Sequence, residues 1–528
     1  MRRLIIPLLL MAVVALPFLL RPKGVGRGPA DDTVVIVTPN NEAIRHEFAI
    51  GFQAWYRAHT GRTVAVDWRV LGGTTEIARL LQGDYVAAFQ NYWKGQLHQP
   101  WSAAVQEGFQ DGGLGADAPA LVRAARAAFL ASNVGSGIDV FFGGGNFDFE
   151  KQAALGTLVD SGLTRLHPDW FADGTIPATY DGNLYRDPEG RWFGCVMSCY
   201  GIIYNRDALR RLGWERPPER WDDLADPRFL GEIALCDPTK SGSIAMAFEN
   251  VIQQKMHWRV AAAEAEPAAV RAGWIDGLQL LQRIGANARY FTDTSQKPLI
   301  DVADGNCAAG MCIDFYGREQ EDALRRRADS DRLGFIAPPG GTAYSVDPIG
   351  LMRGAPNGAA GRAFIEYTLS LDGQKLWALR PGTPGGPRDF ALSRLPVRRD
   401  FYRHDEWKPL RSDPDAQPYA SAEQLIYRPD WTGDRFRAMA FIIRVMCEDT
   451  HDELVAAWRA ALAAPEPGRA RALAILQDMT LVDYDRAGGA ITRALTSRDQ
   501  VDEVRLGREL AEAFRGQYAR AVAAAQAP

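Results

Sequence analysis

Five turns in this chain carry residues suited to holding an anion. They are Asn40–Asn41, the run Gly72, Gly73, Thr74 and Thr75, the run Gly143, Gly144, Gly145 and Asn146, the run Thr239, Lys240, Ser241, Gly242 and Ser243, and the run Asp314, Phe315 and Tyr316. Glycine lets a ligand approach backbone N–H groups, amides and hydroxyls add donors, and Lys240 adds a countercharge. An apolar helical pattern follows the turns. Their free N–H groups therefore lie at helix N-termini, where the helix dipole favours negative charge. Each residue also has a plain structural use: Asn40 and Thr74 are good helix caps, the triple glycine suits close packing, Lys240 suits a solvated loop, and Tyr316 suits core or rim. What joins the five turns is their place at the ends of strands.

The strands are short apolar, β-branched runs: "TVVIV", "RTVAVDWRV", Ile138 to Phe142, "CVMSCYGIIYN", residues 232–236, "AAGMCI", and a run through Met352. Helical spacing intervenes, as in Ile44, Phe48, Phe52 and Trp55, with Gly61 as a stop. Residues 85–132 break this rhythm and read as a helical insertion. Residues 401–528 read as a mostly helical C-terminal extension. Alternating strands and helices predict an α/β fold with largely parallel sheets, in which ligands sit beyond the strand C-termini.

Composition narrows the function. The chain has 528 residues, 47 % hydrophobic and 24 % charged, with a net charge of −5. That is ordinary for a multi-domain globular protein and gives no basic footprint for nucleic acid. No G-x-S-x-G, H-E-x-x-H or G-x4-G-K-[ST] motif is present, and "GGGNF" lacks the dinucleotide form, so the expectation is a binding protein and not an enzyme, without cofactor or metal. Six cysteines permit disulfides or buried thiols. Cys195 and Cys199 cannot pair if their segment is extended, since about 13 Å would separate Cα atoms that a disulfide holds within ~7 Å.

Arg2 and Arg3 precede an uncharged apolar run from Leu4 to Leu20. This predicts export, with residues 1–30 as an uncleaved signal anchor and linker, cleavage being the alternative. The protein would then sit on the periplasmic or extracellular face.

The order "VVIVTPNNEAI", "VDWRVLGGTTEIARLL", "GIDVFFGGG", "YGIIYNRDAL", "WDDLADPRFLGEIALCDPTKSGS", "IDFYGREQ", "DPIGLMRGAPN" and "FIEYTLSLDGQKLW" resembles extracellular solute-binding proteins of ABC importers. The group is the one with ferric-iron, thiamine, sugar-phosphate and aminoethylphosphonate binders. The resemblance covers about residues 31–400. It implies a two-lobed, type II periplasmic-binding-protein-like clamshell: lobe one from 31–200 plus 345–400, lobe two from 201–344, and two strands crossing between them. It further implies a small-molecule solute in the interlobe cleft, an ABC permease as partner, and membrane contact through the N-terminal segment. Ferric binders of the group supply a His after the first strand, a Glu after the third and adjacent tyrosines after a later one. Here those places read Asn40 or Asn41, glycine, and Phe315 with Tyr316, a poor set for iron. The donors that remain suit a phosphate or phosphonate, with Asp314 beside Tyr316 able to take an ammonium or hydroxyls. A ferric-iron or thiamine binder, a ligand-sensing receptor and a periplasmic enzyme are the alternatives.

Overall fold

The computed structural model describes residues 30–262, 265–420, 424–497 and 499–527. The apolar N-terminal run expected to anchor the chain lies outside the described residues. Among those described, no helix is long and apolar enough to cross a membrane.

In chain order the main elements are β1 (Asp32–Val37), α1 (Glu42–Thr60), β2 (Val64–Arg69), α2 (Thr74–Gly95), α3 (Ala103–Gly108), α4 (Ala120–Ala131), β3 (Val140–Phe142), α5 (Asn146–Leu155) and β4 (Trp192–Ser198). Then come β5 (Tyr200–Asn205), β6 (Ile233–Cys236), α6 (Gly242–Ala262), α7 (Glu266–Asn287), β7 (Ala288–Thr292), β8 (Ala309–Ile313), α8 (Asp314–Ala328) and β9 (Leu333–Ile336). The chain continues through β10 (Ser345–Met352), α9 (Gly358–Leu369), α10 (Leu371–Ala378) and β11 (Leu395–Pro396). It finishes with α11 (Phe436–Ile443), α12 (His451–Ala463), α13 (Gly468–Leu476) and α14 (Gln500–Gln526).

Two sheets result. The first runs β11-β4-β10-β3-β1-β2, with a short strand at 158–159 added beside β10; the second runs β7-β6-β8-β5-β9. Both follow one plan. Three parallel strands lie in the order second-first-third, then an antiparallel strand (β10 or β5), followed by β4 and β11 in the first sheet and by β9 in the second. This is the two-lobed type II clamshell. One residue, Cys199, links β4 in the first sheet to β5 in the second, and residues 337–344 make the return crossing.

The packing follows the pleat. On β3, Phe141 faces Ile77, Tyr85 and Phe89 of α2, while Phe142 faces Phe48 of α1 and Phe364 of α9. Tyr85 and Phe89 lie on the buried face of α2 with Phe129 of α4. Residues 85–95 therefore continue α2, and the expected insertion at 85–132 is corrected to the stretch after Gly95. The strand expected from Ile138 begins at Val140, because Ile138 and Asp139 lead into the pairing with β1.

The C-terminal extension shares the core of lobe two. Trp431, Met439, Ile442, Met446, Leu454, Trp458, Phe514 and Tyr518 form one continuous cluster with Trp274, Leu278, Leu281 and Ile284 of α7. Residues 412–420 on lobe one and 424–428 on lobe two form a strap that leads to it. Tyr419 donates to the Val397 carbonyl at 2.6 Å and Tyr180 to the Pro418 carbonyl at 2.8 Å. On the lobe-two side, Arg428 N donates to Gln253 Oε1 at 2.8 Å and Tyr427 donates to Glu249 Oε1 at 3.1 Å.

Glu249 is 0 % exposed, and burial pushes its carboxyl up to about 7. A carboxyl raised above its unfolded value stabilises the fold fully below pH about 4.5, and this contribution is lost as the pH rises through 7. The stability difference between wild type and Glu249→Gln should therefore change by ~3 kcal/mol between pH 4.5 and 7.5 in urea titrations, wild type losing more. A difference independent of pH would refute this account of Glu249.

The six cysteines are free and buried, and Cys195 lies within the extended β4. Among the described residues, one group of three metal-type side chains comes together: His46, Glu47 and Asp389. Glu47 already accepts from the backbone N–H groups of Arg388, Asp389 and Phe390 at 2.6–2.7 Å, which pins that loop onto α1.

Candidate functional site

Because β1, β2 and β3 are parallel, their C-terminal turns share one edge of the first sheet. The turns also touch. Asn40 is 9 % exposed and its amide donates to the Phe142 carbonyl at 3.4 Å. Gly143 and Gly144 have φ of 87° and 120°. A Cβ on Gly143 would lie 2.6 Å from Asn40 Nδ2, and one on Gly144 would lie 2.5 Å from Thr74 Cγ2. Glycine is needed there for both backbone conformation and space. Asn40, Thr74, Gly143 and Gly144 are thus brought together.

Their neighbours divide. Asn41 is the cap of α1, accepting from Ile44 N at 3.0 Å. Thr74 is not a cap. It is the first residue of α2, whose capping position is Gly73 with no side-chain bond, and its hydroxyl bonds Asp148. Thr75 begins the same helix and its side chain lies outside the described residues. Gly145 precedes α5, again without a side-chain cap. Asn146 donates to the Leu184 carbonyl at 2.7 Å and leaves its own Oδ1 buried and unpartnered. Burial raises the Asp148 carboxyl, against the opposing pull of the Thr74 hydroxyl and of Lys151.

On lobe two the turn after β6 is partly spent. Asp237 Oδ1 accepts from Thr239 N and Oγ1, both at 2.7 Å, and the Asp237 carbonyl accepts from Lys240 N and Ser241 N at 3.1 and 3.2 Å. Ser241 Oγ takes Ile244 N at 3.4 Å, so Ser241 is the cap of α6, where Ser243 is the sequence expectation. The helix begins at Gly242, two residues before its apolar pattern starts at Ile244. Among the described residues, the donors left without a protein partner in this turn are Gly242 N, Ser243 N, the Ser243 hydroxyl and the exposed Lys240.

The turn after β8 lies on the same sheet edge. Tyr200, Ala247, Ile313 and Phe315 form a small buried cluster with Met246 and Tyr316, tying the start of α6 to the start of α8. Tyr316 OH accepts from Gln296 at 2.9 Å. Asp314 is 1 % exposed, and neither of its oxygens accepts a hydrogen bond. Burial raises its carboxyl, against the opposing pull of Arg318, whose Nε is 3.8 Å away, and of Arg394. Asp314 is thus buried at the start of α8. Arg394 went unseen in the sequence because it lies in "SRLPVRRD", an arginine-rich loop with no periodicity to single out one member. It donates to Asp347 at 2.6 Å and Ser198 at 2.5 Å, and its guanidinium lies 4.4 Å over the Phe315 ring.

Residues 137–396 match the family model described as bacterial extracellular solute-binding protein, and that stretch holds β3, all of the second sheet, both crossings and β10. Residues 137–396 belong to the bacterial extracellular solute-binding proteins. Among curated relatives, an uncharacterized protein of Haemophilus influenzae is 26 % identical over 242 residues, 45 % of this chain and 60 % of that one. The phosphoglycerate transport regulatory protein of Salmonella typhimurium is 26 % identical over 206 residues, 39 % of this chain and 45 % of that one. The aligned stretches thus span about half the length of these relatives. Among solved structures, apo ferric ion-binding protein A of Pasteurella haemolytica is 13 % identical with a TM-score of 0.47, covering 78 % of this chain and 97 % of that one.

Proposed function

We propose that this chain is the solute-binding component of an ABC-type importer and captures a small organic phosphate or phosphonate between its lobes. The observation that carries this reading is the state of the helix N-termini at the two sheet edges. α2, α5 and α8 begin there with no side-chain cap, while α1 and α6 at the same edges are capped by Asn41 and Ser241. Uncapped N–H groups beside glycine make a ready anion site. Asn40, Thr74, Gly144, Gly145 and Asn146 would serve from lobe one, and Lys240, Gly242 and Ser243 from lobe two. Closure by hinge bending at Cys199 and residues 337–344 would bring the two sets onto one ligand.

The Salmonella relative's name speaks for a phosphorylated solute, while relatives in Synechocystis are named iron uptake proteins. Ferric iron prefers anionic oxygen ligands, and here only Tyr316 stands ready among the expected positions. The solute would then pass to a membrane permease, with the N-terminal segment holding the receptor at the outer face of the membrane.

Two measurements test this. A ligand that binds only the folded chain raises its melting temperature. Organic phosphates should do so and ferric citrate should not; the reverse would contradict the proposal. Ser243→Ala, which removes a hydroxyl with no protein partner, should weaken phosphate binding by ~1–3 kcal/mol while leaving the melting temperature of the free protein in place. Unchanged affinity would return Ser243 to the status of an ordinary helix residue.

A further inference from the structure

A cavity of about 1240 Å³ separates lobe one from the C-terminal extension. Arg79 of α2 lines it from lobe one, and Arg444, Asp449 and the α14 residues Val504, Arg508 and Glu512 line it from the extension. The cavity continues the interlobe cleft. Arg79 lies on α2 beyond Thr74, so roughly 7.5 Å of helix separates it from the turn at the sheet edge. On the other side, Asp449 follows Glu448. Burial raises the Glu448 carboxyl, and Asp237 of the α6 turn and Asp293 beyond β7 raise it further. The extension therefore prolongs the lobe-two wall of the cleft outward, opposite α2.

The two walls suit each other. Glu76, Arg79, Leu80 and Gly83 are exposed along α2 at helical spacing, hence on one face. Val501, Val504, Arg508 and Glu512 are exposed in the same way along α14. Leu80 is 37 % exposed and Val504 62 %, so each would gain by leaving water. The lining charge is mixed, five arginines against four carboxylates, which suits a protein surface better than a small anion. Three of those carboxylates are engaged: Asp449 pairs with Arg444 at 3.4 Å, Glu503 pairs with Arg437 at 2.7 Å, and Asp499 caps α14. Among the described residues, Glu512 and Arg79 have no ion-pair or hydrogen-bond partner.

We infer that the extension gives this clamshell a second closing contact: when the lobes hinge together, the exposed face of α2 seats on the exposed face of α14, Leu80 against Val504 and Arg79 beside Glu512. The inference rests on the clamshell reading and not on the identity of the solute. The contact is open in this structure, because the cavity stands between its two halves. Closure then gains stability from a surface that the solute never touches, which slows solute release.

Disulfide trapping tests this in the full chain, whose six native cysteines are buried. Leu80→Cys combined with Val504→Cys should oxidise to an intramolecular cross-link, which forms only where Cα atoms come within about 7 Å. Leu130→Cys combined with Val504→Cys is the control and should not cross-link, since Leu130 is exposed on α4 and lines no part of the cavity. All the positions changed are exposed, and circular dichroism checks each fold. Arg79→Glu in the first pair should slow the cross-link by about threefold, and Glu512→Arg added to it should restore the rate. No cross-link, or one formed equally in the control, would overturn the inference. A rate unchanged by Arg79→Glu would overturn the pairing of Arg79 with Glu512. Ethyl phosphate should speed the cross-link. A cross-link that forms at the same rate with and without ethyl phosphate would overturn the phosphate reading and leave the closing contact standing.

Discussion

A chain ending at Arg428 should fail to fold as a free-standing clamshell. Removing the extension takes Trp431, Met439, Ile442, Met446, Trp458, Phe514 and Tyr518 out of the largest hydrophobic cluster, every one of them 5 % exposed or less. It uncovers Trp274, whose Nε1 donates to the Val482 carbonyl at 2.9 Å, and Leu278, Leu281 and Ile284 on the same face of α7. Fully burying one such side chain contributes roughly 1.5–3 kcal/mol, so uncovering four forfeits an amount comparable to the whole stability of a domain. The truncated chain should be recovered as insoluble material or as a species with no cooperative thermal transition. A soluble truncated chain with a sharp transition near that of the full chain would show that the extension is an independent domain.

Arg394→Ala should destabilise the protein by ~3–5 kcal/mol in urea unfolding. Arg394 is 2 % exposed and holds Asp347 and Ser198 while lying over Phe315 of lobe two and near Trp377 of lobe one. Its removal strands Asp347 and takes from Asp314 one of the two positive groups that offset its burial. Arg394→Lys should recover only part of the loss, because an ammonium on a flexible stem cannot reproduce two fixed guanidinium bonds and the stacking on Phe315. The same substitution should loosen the hinge, since this contact spans the lobes. A loss below ~1 kcal/mol would mean that water satisfies these charges as well as arginine does.

Much of the fold was legible because the strand–helix alternation is written in short apolar runs and periodic helices. Strand ends are also where glycine, serine and threonine collect, so the turns at Asn40, Gly143 and Ser241 stood out without coordinates. Finer roles were not legible. Whether Ser241 or Ser243 caps α6 depends on where the helix starts, and Asp237 sets that by gathering the N–H groups of Thr239, Lys240 and Ser241. Thr74 looked like a cap because its bond to Asp148 of α5 joins residues remote in sequence. Arg394, Glu249 and Tyr427 were invisible for the same reason: each matters through partners supplied by another lobe or by the strap. The extension reads as an appendage in sequence because its apolar faces are ordinary amphipathic stripes, and only packing shows that they complete lobe two.

The central claim is that the glycine turns of lobe one and the α6 turn of lobe two hold the phosphate of a small solute. The most direct test is calorimetric titration of ethyl phosphate into the wild-type chain and into Gly144→Ala, whose new Cβ would meet Thr74 at a backbone angle that disfavours any side chain. The account predicts one binding site in wild type and at least about tenfold weaker binding in the variant, with unchanged circular dichroism. Equal affinity in both proteins, or a heat signal from ferric ion with none from the phosphate, would contradict it.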